Sequence, residues 1–145
     1  MRLSQKTDYG LAAVIYLSQQ KENRRCSLEE ISRDTKIPEE FLRKICQTLT
    51  KYGVVESFRG KDGGVNLARS PENISLFDIV EWLEDKKGLV RCLRGEYCPR
   101  SNQCPASPFW QEIQQRLFHT LQEVTIEDLI RGRILSGTNL GETIS

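Results

Sequence analysis

The chain has 145 residues, 28% of them charged and 38% hydrophobic, with a formal net charge of +1. That is enough for one core of ordinary size plus an extension, and the charge is too balanced to indicate a partner by itself. The stretch from Met1 to Gly10 has no signal-peptide pattern, and the longest early uncharged run, Tyr9 to Gln20, is too short to span a bilayer, so a cytoplasmic protein without membrane contact is expected. In that reducing compartment five cysteines, an odd number, argue for thiols or a metal site rather than a disulfide framework.

Up to Arg69 the chain carries 13 Lys+Arg against 9 Asp+Glu, and the remainder carries 8 against 11, which makes the N-terminal half the candidate nucleic-acid surface. From Thr7 to Leu17 the apolar residues Tyr9, Leu11, Ala12, Val14, Ile15 and Leu17 recur at near-helical spacing and predict a largely buried first helix. Ser27 with Glu30 three residues on reads as a capping box opening a short helix with Leu28 and Ile31, broken at Thr35 and Lys36. A third helix is expected from Pro38 to about Tyr52, with Pro38, Glu39 and Glu40 suited to its first turn and Gly53 to its end. Phe41, Leu42, Ile45 and Leu49 form its apolar stripe. Glu40, Arg43, Lys44, Gln47, Thr48 and Lys51 are left for solvent or a ligand.

Val54–Phe58 and Val65–Ala68 alternate as short strands around the glycine-rich turn Arg59-Gly60-Lys61-Asp62-Gly63-Gly64. Two helices joined by a short turn and followed by a hairpin with a basic tip make a winged helix-turn-helix pattern, against an ordinary small α+β domain with a solvated hairpin. Ser75 and Asp78 predict another capped helix through Ile79, Val80 and Leu83, breaking at Asp85–Gly88.

The segment from Cys92 to Cys104, C-L-R-G-E-Y-C-P-R-S-N-Q-C, places three cysteines six positions apart in a polar loop with Gly95, Pro99, Ser101 and Asn102. Cysteine is ordinarily a small buried hydrophobe. Packing gives no reason for three in such a loop, whereas metal ligation or redox chemistry does. Beyond it Phe109, Ile113, Leu117, Leu121 and Val124, spaced by 4, 4, 4 and 3 and widened by Trp110 and Phe118, predict a long amphipathic helix from about Pro108 to Val124. Packing against a second copy in a two-fold dimer would bury that face, and packing within the chain is the alternative. Thr125 caps a last short helix, and the glycine-containing tail is expected to fray.

The expected fold is mainly α with a small β-hairpin wing. A winged helix-turn-helix domain covers 1–87 and the cysteine loop 88–106. The dimerisation helix and short terminal helix cover 107–131, with a flexible tail over 132–145.

On Met1-Arg2-Leu3, Thr7–Leu11, the run Val55–Val65 with its R-G-x-x-G-G wing, the three cysteines and Thr125–Leu129, nearly the whole chain resembles the winged-helix regulators typified by IscR, NsrR and RirA, many of which carry an iron-sulfur cluster. The resemblance implies a homodimeric repressor or activator of transcription, not an enzyme, with its cluster near the dimer interface. It puts Cys92, Cys98 and Cys104 on the cluster-ligand positions, the helix from Pro38 to Lys51 on the recognition helix, and Arg59 on the wing residue at the minor groove.

Three thiolates suit the soft iron of a 2Fe-2S or 4Fe-4S cluster and leave at least one ligand position open. IscR-like members use a histidine where this chain has Ser107, a poor ligand. NsrR-like members use an N-terminal aspartate from the partner subunit, and Asp8 occupies that place; its alternative role is a carboxylate stabilising the first turn of helix one. His119 reads as a solvated or capping side chain, Cys46 as buried, and Cys26 as an exposed thiol without assigned chemistry.

For DNA, the resemblance and the outward faces together select Arg43, Lys44, Gln47 and Lys51 on the helix and Arg59 and Lys61 on the wing. The expected function is operator binding controlled by a cluster that senses nitric oxide, redox state or iron supply. A zinc or thiol sensor is the first rival and an iron-sulfur electron-transfer subunit the second. Against the latter, no nucleotide-binding glycine motif or catalytic His/Asp set is present.

Overall fold

Helix α1 (Gln5–Ser18) starts two residues before the predicted point because Ser4 caps it, its hydroxyl accepting from the Thr7 N–H at 3.2 Å. The computed structural model describes residues 2–133; the expected tail from 134 to 145 lies outside the described residues. Ser4 and Thr7 are in turn held by a residue far along the chain. The Glu84 carboxylate accepts from the Ser4 N–H (3.2 Å), the Ser4 hydroxyl (2.9 Å) and the Thr7 hydroxyl.

Burial pushes the Glu84 pKa up, but these three donors and Lys6 outweigh it, so the carboxyl titrates below the ordinary carboxylate range. A depressed folded-state pKa contributes stability above the unfolded value of about 4.3 that is lost as pH falls through the folded value. Glu84→Gln is therefore expected to lower the melting temperature at pH 7 and to flatten the acid limb of stability below about pH 4, read from thermal melts over that range.

Helix α2 (Leu28–Thr35) is capped by Ser27, whose hydroxyl accepts from the Glu30 N–H at 3.1 Å. Only that half of the predicted box forms, because the Glu30 carboxylate turns to Arg24 instead. The turn that follows puts Lys36 in the left-handed region at φ 63° and buries Ile37, so the chain reverses into α3 (Glu39–Lys51). Leu42, Ile45, Cys46 and Leu49 are the buried stripe of α3. Cys46 is buried as expected, and the stripe differs from the expected one at Phe41, which stays 39% exposed, edge-on to Tyr9 at 5.7 Å.

After Gly53, at φ 74°, strands β1 (Val55–Phe58) and β2 (Gly64–Leu67) pair antiparallel, with Val55 opposite Leu67 and Phe58 opposite Gly64. Cys26 adds a third rung on the other side of β2, exchanging 2.8 Å bonds in both directions with Val65. It is fully buried there, so the expectation of an exposed thiol is corrected.

Helix α4 (Leu76–Leu83) opens with the predicted capping box, in which Ser75 and Asp78 bond each other's backbone N–H at 3.1 and 2.9 Å. Helix α5 (Ser107–Glu123) lies against α4, where Phe118 meets Phe77 at 5.3 Å. Helix α6 (Ile126–Arg131), capped by Thr125 and Asp128, returns to the first domain. Leu76 N–H bonds the Val124 carbonyl and Ile126 N–H the Ile74 carbonyl, both at 2.8 Å. Ile126 joins Val14, Ile31, Leu42, Ile45, Leu49, Ile79 and Leu83 in one core, and so the terminal helix belongs to the packing of the winged-helix unit. Among the described residues no helix is long and apolar enough to cross a membrane.

Candidate nucleic-acid interface and cysteine loop

The buried stripe of α3 holds it on α1 and α2 and turns the opposite side outward. Arg43, Lys44, Gln47 and Lys51 are all exposed on that side. Arg43 is partly engaged by Glu39 at 3.2 Å, an i,i+4 pair that costs little to open at an exposed site. Lys44, Gln47 and Lys51 have no side-chain bond among the described residues, and neither do Arg59 and Lys61 on the wing. Thr50 on α3 and Ser57 on β1 meet through their hydroxyls at 3.1 Å, which ties α3 and the hairpin together. A helix face and a hairpin tip offering free cations side by side can read base edges and neutralise phosphates at once.

The cysteine loop runs from a 3-10 turn at Arg91–Arg94 into α5. Cys92, Cys98 and Cys104 are all half-buried and all free. Their donor chemistry fits a thiolate-held iron-sulfur group, with no disulfide to break first. The isolated chain does not gather them: among the described residues, no three His, Cys, Asp or Glu side chains lie close enough together to hold a metal ion. Asp8 is exposed in the first turn of α1, where its side chain makes no hydrogen bond among the described residues and where capping is done by Ser4. His119 is exposed on α5, 3.5 Å from Glu123, in keeping with a solvated side chain. Burial pushes the Cys46 thiol up to about 11 and also raises that of Cys26, although Arg24 nearby opposes the second shift. Both thiols are packed in the core and stay protonated at neutral pH.

No residue of α5 is buried within the chain. Phe109 is 68% exposed, Ile113 48% and Trp110 39%, while Leu117 and Leu121 are half-buried. Val124 caps the helix and is buried against its own chain, so of the five stripe residues Phe109 and Ile113 are open, Leu117 and Leu121 partly covered.

Two residues that matter here have no sequence pattern of their own. Glu84 and Arg25 act through partners 77 to 80 and about 33 to 37 positions away, and only the folded chain brings those partners near.

These elements define a winged helix-turn-helix protein with a helical extension behind a cysteine loop. Residues 3–132 match the Rrf2 family, described as iron-dependent transcriptional regulators, and the chain belongs to that family. It is 36% identical over 135 residues to Protein aau3 of Rhizobium meliloti, spanning 92% of this chain and 87% of that protein. It is 30% identical over 132 residues to the HTH-type transcriptional regulator NsrR of Bacillus licheniformis, spanning 90% and 92%. Among solved structures, CymR, the global cysteine regulator of B. subtilis, superposes with a TM-score of 0.75 at 29% identity, over 90% of this chain and 97% of that one. The winged-helix fold and the transcription-regulator class expected from sequence therefore hold.

Proposed function

We propose that the chain works as a homodimer, each subunit offering its winged helix to half of a pseudo-palindromic operator, with binding controlled by an iron-sulfur cluster on Cys92, Cys98 and Cys104. One observation supports this above the others: the loop with three free thiols leads directly into α5, whose outer face is an unpartnered apolar stripe and whose inner face packs on α4 of the DNA-binding unit. Half-sites would then lie about one helical turn apart. When bound, the cluster supplies one-electron redox chemistry and reactivity toward oxidants and nitric oxide.

The chain's own part is mechanical. Three thiols drawn together shorten and stiffen the loop, and released they let it relax. Either state shifts α5 relative to α4, and with it the separation of the two recognition helices. Asp8 of the partner subunit is the proposed fourth ligand, a hard oxygen donor that exchanges more readily than a thiolate.

Anaerobic purification with visible and Mössbauer spectra, followed by titration of a DNA site selected from a random duplex library, tests the reading. Cys98→Ala is expected to lose the charge-transfer bands and to bind the site differently from wild type. Equal affinity ends the coupling. Arg59→Ala is expected to keep the spectrum and dimer and to weaken binding by roughly 10- to 100-fold, as for loss of a guanidinium contact of about 1–3 kcal/mol. An altered spectrum in Asp8→Ala identifies it as a ligand, and an unaltered one returns it to α1. A second reading, thiol sensing, is favoured by the failure of the cysteines to converge within one chain, since free thiols need no preformed ligand set, and zinc on the same cysteines is its metal-bound variant. Stoichiometric zinc without visible absorption would select it.

A further inference from the structure

The wing depends on a residue outside it. The segment from Gln19 to Arg25 links α1 to α2, and at its end Cys26 is clamped to β2 by the paired bonds with Val65. The clamp needs glycine at position 64: a Cβ there would lie 2.6 Å from the Cys26 carbonyl oxygen, and φ is 145°. The wing hairpin is thus the middle and far edge of a three-rung sheet whose near edge is the Cys26 backbone. Successive side chains on an extended segment point to opposite faces. Cys26 points into the core, and Arg25 points out along the wing.

There the Arg25 guanidinium lies over the Phe58 ring, 3.6 Å from its centroid, and its Nη1 donates to the Asp62 carbonyl at 3.4 Å. Phe58 is the last residue of β1 and directly precedes Arg59; Asp62 lies in the turn directly after Lys61. One planar side chain therefore grips the wing on both sides of its two free cations. Arg25 forms no ion pair with any carboxylate among the described residues, so these two contacts are what orient it. A guanidinium stacks on a ring and donates sideways at the same time, which an ammonium does not reproduce.

We infer that Arg25 is a positioning residue for the wing: stacked on Phe58 and bonded to the Asp62 carbonyl, it holds the hairpin tip so that Arg59 and Lys61 meet the DNA backbone. The inference rests on the operator-binding reading above and adds a residue to it. An unbraced two-stranded tip is marginally stable in water. Without the brace, Arg59 would sample many positions, and its phosphate contact would carry the ordering cost on each binding event.

The test titrates the library-selected duplex with wild type, Arg25→Ala, Arg25→Lys, Phe58→Leu, Arg59→Ala and Arg25→Ala/Arg59→Ala at several salt concentrations, with melting curves for each. Loss of an exposed cation–ring contact and one hydrogen bond corresponds to roughly tenfold weaker binding. Arg25→Ala and Phe58→Leu are both expected to show it, with melting lowered by no more than a few degrees. Arg25→Lys, which keeps the charge, is expected to recover less than half of the loss on the logarithmic scale. The double variant is expected to lose less than the sum of the two single losses, the remainder being the contact of Lys61, and Arg25→Ala to reduce the salt slope at least as much as Arg59→Ala does.

Additive losses in the double variant, or a Phe58→Leu variant that binds like wild type, would make Arg25 a phosphate contact in its own right and overturn the inference. Wild-type affinity in Arg25→Ala beside a weakened Arg59→Ala would overturn it alone. Wild-type affinity in Arg59→Ala would overturn the wing reading and this inference with it.

Discussion

Alanine at Leu83 is expected to lower the free energy of unfolding by about 2 to 5 kcal/mol, the usual cost of removing a buried leucine side chain and leaving a cavity. Leu83 is 1% exposed at the end of α4 and fills a notch on α1 that exists because residue 10 is glycine. A Cβ at that position would lie 2.0 Å from the Leu83 Cδ1 and 3.6 Å from the Ile45 Cγ2. Gly10→Ala alone should therefore also destabilise, since overpacking of about 1 to 3 kcal/mol exceeds the roughly 1 kcal/mol that alanine gains over glycine inside a helix. In the Leu83→Ala background the clash is gone and the propensity gain remains, so the same substitution should reverse sign and stabilise. Urea unfolding of the two single variants and the double variant measures this. Additive effects would mean that α1 and α4 do not meet at this notch.

Glutamate at Ile113 is expected to abolish the proposed dimer. Ile113 is 48% exposed in the centre of the α5 stripe, between Phe109 and Leu117, and two-fold symmetry would place both copies of the substitution in one interface. Leaving a carboxylate uncompensated in an apolar contact costs about 3 to 5 kcal/mol, so dimerisation should weaken by at least about a hundredfold. Sedimentation equilibrium would show a monomer where wild type is a dimer. Binding to the selected duplex should fall with it, because each monomer then occupies one half-site without the other. Melting should hardly change, since no residue of α5 is buried within its own chain. A variant that remains dimeric would place the interface elsewhere.

The elements that were legible in the sequence are those whose signals are local. Ser75 with Asp78, and Thr125 with Asp128, predict helix starts because each pair bonds its own neighbours three residues away. Gly53 predicts an ending because its backbone sits where side chains are disfavoured. The misreadings have a common cause. Ser27 and Glu30 have the same spacing, yet Arg24 takes the Glu30 carboxylate away. Phe41 stays outside the buried stripe because helical periodicity tells which residues share a face and not how far a neighbouring helix covers its edge. Cys26 borders a polar stretch and is buried only because β2 pairs with it.

The candidate site divides in the same way. The sequence by itself determined the helices, the hairpin with its free Arg59 and Lys61, and the three thiols ahead of an amphipathic helix, because each depends on residues a few positions apart. Only the tertiary structure decided that Glu84 holds the start of α1, that α6 packs into the winged-helix core, and that Arg25 braces the wing. Those contacts join residues tens of positions apart, and their energies come from burial and directed hydrogen bonds that exist only once the chain has closed on itself.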